Sequence, residues 1–249
     1  MRLTIGGDWS ATVTGEPAAP APRFTGNAVD LTGCAGPAER ERFLAATFGS
    51  RDWLWDTPDL LRFDPGNRRL AGAEFRMPYV SGQAETVAGA PAVPVVRPAG
   101  LLADEVRDFR LETCRVLCRE PGDTALTCLR DHDVLAGPLE AAIGIAPDVA
   151  LLVRHGAVVG WRLNDPVRHL AAAGSAPDPA PPAPATRRLL TACLDVVGPA
   201  GIEDLMDGDP AAVTRLRDTD RALRTRTEDR RRADALLALL GDLMDDYGA

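Results

Sequence analysis

Lysine is missing from this chain. All 28 basic residues among its 249 are arginine. That excludes Schiff-base chemistry, pyridoxal phosphate held through lysine, and the lysines of phosphate loops and kinases. Alanine, arginine, proline and glycine abound while isoleucine is scarce, the composition of a GC-rich genome. No run approaches the ~20 consecutive apolar residues of a membrane span. The opening MRLTIGGDWS has neither the basic nor the apolar region of a signal peptide, so a cytoplasmic chain is expected. Histidine is rare too: His132, His155 and His169 form no HExxH or HxH pattern, and no zinc or other metal site is expected. The four serines sit in no GxSxG elbow. No GxGxxG lies between a strand and a helix, so no dinucleotide is expected either. The sequence thus points to no cofactor at all.

What is present describes an ordinary globular chain. Its 45% apolar content and length let it bury roughly 70–75% of its unfolded surface, without help from metal or disulfide. The net charge of −8 argues against a nucleic-acid partner, whose phosphates need a basic surface. The nearest approach to a basic patch, Arg230, Arg231 and Arg232, follows Glu228 and Asp229 and reads as a solvated mixed-charge helix face. Cys34, Cys114, Cys118, Cys128 and Cys193 make an odd count, and reduced thiols are the default. On a strand, Cys114 and Cys118 lie about 13 Å apart, too far to share one zinc. A two-residue turn at Pro121-Gly122 sets Arg115 opposite Cys128 and points Cys128 away from both.

The order of elements suggests an α+β protein. Its body is a mainly antiparallel sheet built from hairpins with a few short helices, followed by an all-helical C-terminal segment. Strands flank Gly6-Gly7-Asp8, and the stretch 17–22 is a loop. Pro37 opens a helix whose Phe43, Leu44, Thr47 and Phe48 keep helical spacing and which Gly49 ends. LLRF and RRLAGAEFRM flank the turn Asp64-Pro65-Gly66-Asn67. Residues 81–100 read as loop, with at most an edge strand over 93–97. Residues 109–119 and 124–130 form the next hairpin, and 150–153 with 157–163 a third, tipped at His155-Gly156. Asp165-Pro166 caps a short helix to Ala173. The run GSAPDPAPPAPA suits a stiff linker, dividing the chain into a body (1–175), a linker (176–185) and helices (186–249). Asp209-Pro210 starts a long helical segment to about Asp246, which either bends at the wholly polar RTRTEDRRR or bridges solvent there.

Three clusters are candidate sites. Asp131-His132-Asp133 is the densest titratable group. A histidine oriented by a carboxylate acts as a general base near neutral pH, yet polar residues after a strand are also ordinary turn material. Trp53 and Trp55 account for two of the twelve aromatics and share one face of an extended chain. They either plug the core or offer a rigid patch to a partner. Leu236, Leu240, Leu243, Met244 and Tyr247 recur at helical steps in one broad stripe. That stripe packs either on Leu189, Leu190, Cys193 and Leu194 of the same chain or on another molecule.

The reading these features favour is a non-catalytic accessory or partner-binding protein, of subunit, peptide-binding or immunity type. It acts on another protein or peptide or pairs with a second copy of itself, and touches neither nucleic acid nor membrane. Trp53, Trp55 and the α-helical stripe are its expected contact residues. The alternative is a small cytoplasmic hydrolase or transferase using His132 with Asp131 or Asp133. A deep pocket with converging polar groups separates an enzyme from a partner protein, which exposes an apolar patch. A nucleic-acid regulator built on the last helices is disfavoured, since ten arginines there face thirteen acids.

Overall fold

The structure, a computed structural model, describes residues 1–15, 17, 20–51, 58–78, 85–88 and 90–247. The chain opens with the antiparallel hairpin β1 (Arg2–Gly6) and β2 (Trp9–Thr14). It continues through β3 (Arg23–Phe24), β4 (Ala28–Asp30), α1 (Pro37–Ala46), β5 (Phe48–Gly49), β6 (Leu60–Phe63) and β7 (Leu70–Arg76). Strands β3 to β7 form a five-stranded antiparallel sheet in the order β3-β4-β7-β6-β5. Next come β8 (Glu85–Ala88), β9 (Val96–Pro98), β10 (Gly100–Ala103), β11 (Val116–Arg119), β12 (Ala125–Leu129), β13 (Ala141–Ala146), β14 (Val149–Arg154) and β15 (Ala157–Asn164). Among the described residues they make, with β1 and β2, a ten-stranded mixed sheet, parallel only where β1 meets β15, β8 meets β11 and β9 meets β13. The chain ends in α2 (Pro184–Val197), α3 (Pro199–Met206), α4 (Pro210–Arg224) and α5 (Arg230–Tyr247). The class is α+β, and no helix among the described residues is long and apolar enough to cross a membrane.

The large sheet is covered on both faces. One apolar cluster joins Trp9, Phe63, Phe75 and Trp161 to Leu190, Leu194, Leu216, Leu236 and Leu240 of the helices. A smaller one, with Val116, Cys118, Leu129, Ala142 and Leu152, lies beneath Val134 of a short 3-10 turn. Burial on both sides explains why β14 reads VALLV without alternation. Polar bonds also fasten the helices to the sheet. Thr191 Oγ1 donates to Asp123 Oδ2 (2.6 Å), and Arg187 pairs with Asp165 (2.7 Å).

Several local expectations change in three dimensions. The first helix stops at Ala46, so Phe48 and Gly49 belong to a strand. Arg62, itself buried, donates to the carbonyls of Leu44 (2.8 Å), Thr47 and Ser50 (2.9 Å) and holds the helix end open. Gly49 has φ +142, and a Cβ there would stand 2.1 Å from the Leu61 carbonyl oxygen. The strand expected over 109–119 shrinks to Val116–Arg119, while β8 and β13 add strands in stretches without alternation. A four-residue connection rather than a two-residue one sets Leu117, not Arg115, opposite Cys128. Cys128 therefore shares the main core with Cys114, and Cys118 lies in the smaller cluster on the other face. Asp165 adopts φ +45 and its side chain caps nothing; only the 3-10 turn Pro166–His169 follows. The long C-terminal segment bends, ending one helix at Arg224 and starting the next at Arg230, with Asp229 at φ +57 between them.

Arg232 departs furthest from the sequence reading. It is fully buried rather than solvated. It pairs with Asp229 (2.6 Å) and donates to the carbonyls of Asp178 and Ala180 (2.7 Å each), while Asp229 accepts the Ala183 N–H at 3.1 Å. The Pro/Ala stretch is thus tied to the start of α5.

Candidate functional site

Strands β4 and β7 pair with Ala28 opposite Arg76 and Asp30 opposite Glu74. Strand alternation puts all four on one face, together with Gly72. Gly72 admits α1 to that face: a Cβ there would lie 2.9 Å from the Phe43 ring. The first turn of α1, the loop before it and Ala173-Gly174 complete a cleft of about 400 Å³. Its walls are mostly apolar, formed by residues such as Ala28, Ala35, Pro37 and Ala173, with Thr25, Thr32 and the partly exposed thiol of Cys34 among them.

Two carboxylates face each other across this strand pair, an arrangement that is destabilising unless countered. Each has its own arginine. Arg23, buried, pairs with Asp30 and also donates to the Cys34 carbonyl (2.6 Å). Asp30 further accepts from the Thr32 N–H (2.6 Å) and hydroxyl (2.7 Å), which shapes the loop leading to α1. Arg40 grips Glu74 with two bonds, Nε to Oε1 at 2.6 Å and Nη2 to Oε2 at 2.9 Å, the bidentate geometry peculiar to guanidinium. A third arginine, Arg76, reaches Glu74 only at 3.5 Å, and its Nε is buried with no acceptor. The charges of the first four residues cancel, and Arg76 is a fifth charge, which also acts on the buried Asp59.

Behind Arg76 lies a buried carboxyl. Asp59 is 5% exposed, accepts the Arg76 main-chain N–H at 2.8 Å and takes the Cys114 thiol at 3.7 Å. Burial pushes its pKa up to about 6. Burial likewise pushes the thiols of Cys114 and Cys128 well up, and that of Cys193 to about 12, so these three behave as small apolar side chains.

The chain matches no protein-family model, no curated protein and no solved structure. Its function has to be read from its own residues.

Among the described residues, none of those in the three candidate clusters lines this cleft. Asp131, His132 and Asp133 are exposed, and Asp131 accepts the Asp133 N–H at 3.0 Å to open the 3-10 turn. His155 tips its hairpin, with φ +51 followed by +68 at Gly156, as a primed turn requires. His169 is buried and bonded to Asp148 (3.0 Å); burial lowers its pKa and favours the neutral ring. Trp53 and Trp55 lie outside the described residues. Leu236 and Leu240 are fully buried in the chain's own core, and Leu243, Met244 and Tyr247 pack half-buried against it. The stripe of α5 is therefore taken up by α2 and α4 of the same chain. Among the described residues no three His, Cys, Asp or Glu side chains come together as a metal site would need.

The cleft residues Asp30, Arg40, Glu74 and Arg76, and Arg23 behind Asp30, drew no notice in the sequence. One signal was available. In LAGAEFR the charged Glu74 and Arg76 fall on the same strand face as Gly72, opposite the face of Ala73 and Phe75. Nothing local announces that Asp30 and Arg40 meet them.

Proposed function

We propose that this chain is a non-catalytic accessory protein that binds another protein or peptide, and that a short segment of the partner sits in the cleft over β4 and β7. The cleft carries the reading. Its volume of about 400 Å³ falls in the range of ligand sites, and its apolar walls surround a few fixed polar groups. Binding suits it better than acid-base chemistry, because both lining carboxylates are already held by arginines. The alternative enzyme reading relied on His132, which stands on an exposed turn remote in sequence from every cleft residue. The α5 stripe takes no part in this contact, since it packs into the chain's own core. A cytoplasmic setting goes with it, supported by five cysteines that all stand as free thiols.

Peptides selected from a displayed random library tests the reading directly. Selected peptides should bind the wild-type chain and lose binding to Ala173→Trp, which fills the cleft from its exposed rim. Equal binding to both proteins would place the contact elsewhere and sink the cleft as the partner site. Self-association that Ala173→Trp abolishes would make the partner a second copy.

A further inference from the structure

Building on that reading, we infer that the cleft recognises a carboxylate and that Arg76 is the residue that takes it. The charges in the cleft argue for this. Asp30 takes one short bond from Arg23 and Glu74 takes two from Arg40, so neither is left to attract a cation. Arg76 carries five N–H donors, of which the described protein engages one, at 3.5 Å.

The geometry is prepared in advance. The Arg76 main chain is fixed by its bond to Asp59 and by strand pairing to Ala28, so the side chain leaves the sheet at a set point. Ala28, opposite, is small and leaves room beside the guanidinium. Glu74, 3.5 Å from Arg76 Nη2, sets the charge of the ligand: one negative charge is accommodated, whereas a dianionic phosphate would meet the Glu74 carboxylate. The rest of the ligand lies against apolar wall. A peptide chain end, or an acidic side chain flanked by apolar residues, has this chemistry, and so does a free small acid.

The experiment follows amide resonances of cleft residues Thr25, Thr32, Cys34 and Gly174 in the full chain during titration with N-acetyl-leucine, N-acetyl-leucinamide or inorganic phosphate. N-acetyl-leucine should shift them with an affinity about tenfold or more above that of the neutral amide. Arg76→Gln, checked for unchanged melting, should erase that preference while leaving the weak binding of the amide. Equal affinity of acid and amide, a preference that survives Arg76→Gln, or tighter binding of phosphate would each overturn carboxylate recognition while leaving the cleft as a binding site. If neither leucine derivative shifts the cleft, both this inference and the proposed function fall. Lengthening the probe to N-acetyl-Ala-Ala-Leu separates the sources. Retained or tighter binding supports a chain end, whereas loss of binding keeps the carboxylate but overturns the peptide partner in favour of a free acid.

Discussion

In the C-terminal helices, the apolar stripe of α5 meets α2 and α4, and Arg232 sinks beneath it with carbonyls and a carboxylate around its guanidinium. In the five-stranded sheet, α1 covers only part of the face of β4 and β7, and Arg76 stands at the edge of what stays open. Both regions combine apolar surface with arginine. They differ in whether the chain supplies the partners. An amphipathic stripe is closed wherever the fold brings a second apolar face to it, since burying both removes apolar surface from water. A cleft persists where small residues and paired charges prevent such closure.

That contrast can be broken in four ways. The largest effect should come from Leu240→Asp, which puts a charge at a fully buried position. We expect a loss of more than about 4 kcal/mol, with helix and sheet signals lost together in urea. Survival of the sheet signal would mean that the helices hold a core of their own. Arg232→Met should follow, at about 3–5 kcal/mol, because Asp229 then loses its buried partner; adding Asp229→Asn should recover part of the loss.

Asp59→Asn should act in the opposite direction. With its pKa raised from 3.8 to about 6, this carboxyl favours the fold while protonated. The wild type should therefore lose stability as pH rises between roughly 4 and 6, amounting to at most about 3 kcal/mol above pH 7. The asparagine variant, still able to accept the Arg76 N–H, should be the more stable protein at pH 8 and equal to wild type at pH 3.5. Denaturant midpoints at the two pH values decide the matter, and a difference that does not change with pH rules out titration of Asp59. Arg76→Gln should be mildest, within about 1 kcal/mol, since the side chain is 38% exposed and its one ion pair is long. A larger loss would make Arg76 a structural residue like Arg232.

Where a feature depended on neighbours in the chain, it was legible in the sequence. Asp64-Pro65-Gly66-Asn67 turns a hairpin, His155-Gly156 turns another, and Asp209 caps α4 by accepting the Ala211 N–H at 3.0 Å. The bend in the polar stretch before α5 was one of two forms foreseen. Strand β13, buried along nearly its whole length, was missed because it has no alternation to read. The end of α1 was misplaced because a residue from β6, Arg62, terminates it. The candidate site was not legible at all. Its five charged residues are spread from Arg23 to Arg76, and local spacing relates only Glu74 to Arg76.

By itself, the sequence determined the class of fold, the positions of most turns and caps, and the chemistry that lysine-free composition forbids. These follow from backbone preferences and from periodicity, which act over a few residues. Tertiary structure alone decided which arginines are buried latches and which is left with free donors, and whether an apolar stripe is core or surface. Arg232 and Arg76 have the same side chain. Carbonyls of Asp178 and Ala180, more than fifty residues away, and the Asp229 carboxylate occupy both terminal nitrogens of the first, while the second makes one long bond, to a carboxylate that Arg40 already holds.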